Sequence, residues 1–106
     1  MKYARAAAKL AEVIESMALS PAPTVQGRLG EACSYNLENL QPDELPPDVQ
    51  FEFKELKQVL TEVPGDSWIG RVLATSQVMS EERAVEVTLE LVRIARVVAR
   101  HDCLDS

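Results

Sequence analysis

Aromatic side chains are scarce in this chain. Trp68, Tyr3, Tyr35, Phe51 and Phe53 are the full set among 106 residues. A core made from this sequence therefore consists mostly of Leu, Val, Ile and Ala. Cysteine is scarcer, with Cys33 and Cys103 alone. Two thiols are too few for the disulfide framework of a small secreted scaffold, and they fit a reducing compartment. No apolar run is long enough to span a bilayer. Lys2, Arg5 and Lys9 lie near the start, but Glu12 and Glu15 interrupt any signal-peptide core and spoil a transit-peptide reading. The sequence thus predicts a cytoplasmic protein. Positive charge is also short, at 11 Lys and Arg against 17 Asp and Glu, for a formal charge of −6. DNA, RNA and anionic membranes all require neutralising cations. The charge balance therefore predicts no nucleic-acid and no membrane partner.

The negative excess is concentrated. Residues 41–66 hold Asp43, Glu44, Asp48, Glu52, Glu55, Glu62 and Asp66 against Lys54 and Lys57. The simpler reading is a solvated face that maintains solubility; the sharper one is a docking surface for a basic partner. At this length the chain reads as one domain, residues 1–106. It can bury about 65% of its unfolded surface without metal or disulfide support.

Apolar residues recur at helical spacing, and nothing reads as a strand. Residues 2–19 make a first helix with Tyr3, Ala7, Leu10, Ile14 and Met17 on its inner face. Ser20-Pro21-Ala22-Pro23 ends it, because proline cannot continue the hydrogen-bond ladder. Thr24 caps a second helix running to Leu40, with Val25, Leu29, Ala32, Cys33, Leu37 and Leu40 inward. Gly27 and Gly30 each weaken that helix by about 1 kcal/mol relative to Ala. A loop with three prolines follows. Pro47 and Asp48 open a third helix that runs to about Val63, and Pro64-Gly65-Asp66 stops it. A short fourth helix spans Ser67 to Gln77. Ser80 then caps a long fifth helix to His101, and residues 102–106 read as a frayed tail. The predicted fold is all-α, a compact bundle of four to five helices. Its first helix, residues 1–20, is an arm that packs on its own chain or on a neighbouring subunit.

The fifth helix has a wide apolar arc. Ala84, Val85, Val87, Leu91, Val92, Ile94, Ala95, Val98 and Ala99 cover about half its circumference on a 100° wheel. One neighbouring helix needs less than that. The helix is therefore either central or shared with another subunit. Leu89 and Val97 fall outside the arc, among charges. Together these features favour a homodimer through the first and last helices.

The pattern resembles a family of small, uncharacterised bacterial all-helical proteins. The likeness lies in Val25-Gln26-Gly27-Arg28-Leu29, in Asp43-Glu44-Leu45-Pro46-Pro47, in Pro64-Gly65-Asp66 and in Val78-Met79-Ser80-Glu81-Glu82-Arg83-Ala84. It covers residues 25–98 and leaves the first helix outside. These matches are caps, breakers and core positions. The resemblance implies a helical fold and a bacterial source, and it carries over no activity, cofactor or site residue.

No pattern of catalytic chemistry emerges. His101 and Cys103, with Asp102 and Asp105, crowd one tail, whereas zinc takes four ligands in spaced pairs from two elements. A Cys33–His101 dyad requires only spatial proximity. Cys33 nonetheless sits on an apolar stripe, where it reads as a small buried hydrophobe. The carboxylate pairs Glu81–Glu82 and Glu52–Glu55 lie on polar faces, away from any environment that shifts a pKa. Gly27-Arg28-Leu29-Gly30 matches a short RNA-binding glycine loop but lacks the surrounding strands. The junction before the fifth helix mimics a helix-turn-helix, yet its leading residues Glu81, Glu82 and Glu86 repel phosphate. The expectation is no catalytic residue, no metal and no cofactor.

Three residues break their helices' patterns. Asn36 lies on the second helix's apolar stripe, where it either orients a ligand or bonds a neighbouring carbonyl. Phe51 points off its stripe, either covering the Leu45-Pro46 loop or serving as an aromatic anchor. Trp68 is a core plug or part of an interface. The leading functional expectation is a non-enzymatic interaction or regulatory protein, with Phe51, Leu89 and Val97 as partner contacts. The alternative is a small-molecule binder with Asn36, Tyr35 and Cys33 lining a pocket. A third is an acidic mimic that inhibits a nucleic-acid-binding protein through residues 41–66.

Overall fold

The computed structural model describes residues 2–104. Its elements are α1 (Ala4–Leu19), α2 (Val25–Asn36), a 3-10 turn (Pro42–Glu44), α3 (Pro47–Leu60), α4 (Trp68–Val78) and α5 (Glu81–Leu104). Among the described residues there is no strand, as the spacing predicts. The Thr24 and Ser80 caps form as expected. Thr24 Oγ1 accepts the Gly27 N–H at 3.0 Å, and Ser80 Oγ accepts the Arg83 N–H at 3.0 Å. Ser67 does the same for Gly70, again at 3.0 Å. Each satisfies one of the amide donors that a helix start leaves unpaired.

Helix ends depart from expectation where a distant side chain takes over. α2 stops at Asn36 rather than Leu40. The Asn36 amide donates to the Ala32 carbonyl at 2.8 Å, and Lys57 Nζ donates to the Leu40 carbonyl at 2.8 Å. Leu37 and Leu40 stay fully buried from an irregular segment. The Gln41 N–H donates to Glu44 at 2.8 Å. That bond, with the Arg5 guanidinium beyond it, holds the Glu44 carboxyl below its ordinary range. α3 stops at Leu60 rather than Val63. Arg71 donates to the Thr61 carbonyl at 2.6 Å, and the Val63 N–H donates to Thr75 Oγ1 at 3.0 Å. α5 continues into the segment expected to fray: residues 102–104 are helical, and residues 105–106 lie outside the described residues. His101 holds that end down, with Nε2 3.2 Å from Asp48 and its ring edge-on to Tyr3.

One core joins all five helices. Phe53, Leu10, Leu29, Leu37, Leu60, Leu91 and Ile94 are fully inaccessible within it. α5, about 36 Å long at 1.5 Å per residue, sets the long axis of a 39 × 26 × 21 Å molecule. It packs against α1, α2 and α3, so it is central. Its buried stripe is narrower than the predicted arc: Ala84, Val87, Leu91, Ile94 and Val98, with Val85 and Ala99 exposed. The first helix packs on its own chain, against α2 and α5. Its inner face is rotated from the prediction, with Tyr3, Ala6, Leu10 and Val13 buried and Ile14 half-buried.

Gly30 explains the most intimate junction. It faces α4, and a Cβ placed there would collide with the Ser76 hydroxyl and come within 3.0 Å of Ser76 Cβ. The glycine that weakens α2 as a helix is what lets α2 and α4 touch.

Candidate functional site

α3 and α5 run antiparallel. Asp48 meets His101 at one end and Glu52 meets Arg93 at 3.4 Å further along. Their junction is not closed on the outer side. A groove of about 290 Å³ lies between them, lined by Glu52, Glu55, Leu56 and Val59 of α3 and by Arg83, Glu86, Val87 and Glu90 of α5. The floor is apolar, from Leu56, Val59 and Val87. The rim carries four glutamates. Two arginines of α5 pair with three of them. Arg93 donates to Glu90 at 2.6 Å and to Glu52 at 3.4 Å, and Arg83 reaches Glu86 at 3.4 Å. The Arg93 hydrogen bond holds the Glu90 carboxyl below its ordinary range, and Glu90 in turn holds the Arg93 guanidinium up. Four carboxylates against two engaged guanidiniums leave the groove negative.

Exposed apolar residues flank this groove. Phe51 is 66% exposed and stands one turn from Glu55 on α3. Leu89 is 64% exposed and stands one turn from Val85 and from Arg93 on α5; Val85 is itself 42% exposed. Phe51 does not cover the Leu45-Pro46 loop as expected. Gln50 does, donating to the Leu45 carbonyl at 2.8 Å. Val97, the third expected contact, is half-buried and packs against the core. Phe51 and Leu89 are thus exposed on the two helices that form the groove, though neither is among its lining residues, and Val97 packs on the core.

The expected Asn36 pocket divides. Asn36 and Tyr35 line a groove of about 390 Å³, open to solvent, with Ser16, Leu19, Ser20, Glu31 and Ala32. Cys33 is absent from that lining because it is fully buried in the core. Burial pushes its thiol up to about 12, which makes it inert as a nucleophile. The Asn36 amide is engaged with the Ala32 carbonyl and, at 3.4 Å, with Ser16. Trp68 is a half-buried plug whose Nε1 donates to the Cys33 carbonyl at 3.3 Å. His101 is occupied with Asp48 and Tyr3. Among the described residues no group of three His, Cys, Asp or Glu side chains is placed to hold a metal ion, and no helix is long and apolar enough to cross a membrane.

Sequence reasoning missed the groove walls themselves. Glu52 and Glu55 read there as part of a solvated face, and Glu86 as a group that repels phosphate. The available signal was the pairing of Glu52-Glu55 with Leu56-Val59 on α3 and of Arg83-Glu86 with Val87 on α5, acid and apolar side by side at helical spacing. No protein-family model matches this chain, and neither the curated proteins nor the solved structures include a match to it.

Proposed function

We propose that this chain is a non-enzymatic interaction module that receives an amphipathic, basic helix of a protein partner in the α3–α5 groove. The observation that carries this reading is an apolar floor rimmed by four glutamates and flanked by exposed Phe51 and Leu89. Residues 52–59 and 83–90 each span about 10 Å, which matches two turns of a partner helix. Two or three apolar anchors at i, i+3 and i+4 fill the floor. Lysines or arginines on the flanks meet Glu52, Glu55, Glu86 and Glu90, supplying register and encounter rate. Exposed aromatic and aliphatic anchors beside a charged rim are the usual composition of such surfaces. The thiol of Cys33, kept in the core without a disulfide, fits a cytoplasmic setting.

Fluorescence anisotropy of a labelled leucine–lysine amphipathic peptide tests this. The parent protein binds it, binding weakens with salt, and Glu52→Lys/Glu86→Lys weakens it by about tenfold or more. A scrambled peptide that binds equally well contradicts the reading. The homodimer expected from the wide α5 arc would use what remains free of that helix, since α1 packs on α5 within the same chain. Val85, Leu89 and Leu104 are the large apolar side chains that α5 leaves exposed for a second copy. Sedimentation equilibrium at micromolar concentration decides: a dimer abolished by Leu89→Ser would make a second copy the occupant.

A further inference from the structure

A second cleft lies where α3, the loop before the 3-10 turn and the start of α4 converge. It has a volume of about 350 Å³ and is lined by Lys54, Lys57, Arg71, Trp68, Gln41 and Gln58, among others. Its position on α3 follows from helical spacing. Lys54, Lys57 and Gln58 project opposite to Glu52, Leu56 and Val59, so the two concavities use opposite faces of one helix. Both other grooves carry acid in their linings; this one carries three cations and no acid. In a chain with a formal charge of −6 that is a local reversal of sign.

The three cations differ in how they are held. Lys57 Nζ is fixed between the Leu40 carbonyl at 2.8 Å and the Trp68 ring, whose centroid is 5.1 Å away. Burial holds the Lys57 amine below its ordinary range; Glu44, itself tied to Arg5, and Glu38 offset this only in part. Arg71 uses one Nη to donate to the Thr61 carbonyl, while its Nε–H is buried with no acceptor among the described residues. That Nε–H is closed off from the cleft, so the part of Arg71 offered to a ligand is its positive charge at the lining. Lys54 is exposed and makes no ion pair among the described residues. Trp68 supplies an apolar wall beside these charges, and Gln41 and Gln58 supply amides at the rim.

We infer that this cleft binds a small oxyanion, carboxylate or phosphate, attached to a planar ring. The anion sits among Lys54, Lys57 and Arg71, and the ring lies against the Trp68 side. The cleft is open to solvent, so the ligand is held from one side only. This inference is independent of the α3–α5 groove, and the failure of either leaves the other standing.

Trp68 is the chain's only tryptophan, so its fluorescence reports this site directly. The test titrates the intact protein with benzoate, adenosine monophosphate, inorganic phosphate and neutral adenosine. Saturable change with benzoate or the nucleotide, weakened about tenfold by Lys54→Glu and restored by Lys54→Arg, supports the inference. The stronger of the two identifies the carboxylate or the phosphate as the source. Lys54 is exposed, so a melting curve of the Lys54→Glu variant like the parent's keeps the comparison valid. As a second measurement, the Trp68 indole and the Gln41 and Gln58 side-chain amides shift in nitrogen–proton correlation spectra. No saturable change with either ligand up to about 10 mM overturns the inference. So does a Lys54→Glu titration indistinguishable from the parent's, or adenosine binding as well as its monophosphate.

Discussion

Two helix junctions in this molecule follow opposite rules. Where α2 meets α4, Gly30 and Ser76 bring two backbones together and leave no space for a side chain. Where α3 meets α5, Leu56, Val59 and Val87 meet at the floor while glutamates and arginines stand at the rim, and a groove remains. The first junction is made of small residues and holds the fold. The second is made of large charged residues at the edge, and its openness contributes little to stability. Closeness of packing and availability for a partner are thus distributed to different places in one small bundle.

The largest expected effect is at the closed junction. Glycine to alanine in a helix ordinarily gains about 1 kcal/mol. Gly30→Ala is instead expected to lose about 2 kcal/mol, because its methyl meets Ser76. Urea denaturation measures it, and a gain in stability would break the comparison. Ser76→Gly in the same chain restores most of the loss.

A smaller effect concerns Cys33, on the buried face of α2. Its folded thiol is raised to about 12 from 9.0 by burial. The folded state therefore favours the protonated form. Stability from this source is fully present below about pH 9 and is lost as pH rises toward 12; between pH 8 and pH 10 the loss is about 1.4 kcal/mol. Cys33→Ala removes that slope. Denaturation of both proteins at pH 8 and pH 10 checks it, and equal pH dependence would contradict the burial.

The smallest stability effects belong to the open junction. Leu89→Ser and Glu86→Gln are each expected to change stability by less than about 0.5 kcal/mol, since both side chains are exposed and the Arg83–Glu86 pair is a surface pair. The same substitutions weaken peptide binding several-fold. Variants that lose stability and binding in parallel would erase the distinction between the junctions.

Much of the fold was legible because its causes are local. The caps at Thr24 and Ser80, the break at Ser20-Pro21-Ala22-Pro23 and the stripe Ala84-Val87-Leu91-Ile94-Val98 depend on residues within one or two turns. The ends of α2 and α3 were not legible, because Lys57 and Arg71 set them from other parts of the chain. The α5 terminus depends likewise on Asp48 and Tyr3. In α1, alanines at 4, 6, 7, 8 and 11 dilute the periodic signal, so that Ala6 and Val13 were not placed on the inner face. Of the candidate contacts, Phe51 and Leu89 were readable as apolar residues off their stripes. The groove beside them was not, because it depends on the register of α3 against α5. Cys33 was correctly read as a buried hydrophobe, and that same burial removes it from the pocket with Asn36 and Tyr35.

The most direct test maps where a basic amphipathic peptide lands. Amide correlation spectra of the isotope-labelled protein are recorded as the peptide is added. The account predicts shifts concentrated at residues 51–59 and 83–90, with little change around Tyr35 and Asn36 or at Gly30 and Ser76. Shifts centred on the α1–α2 groove, or none at saturating peptide, would contradict it.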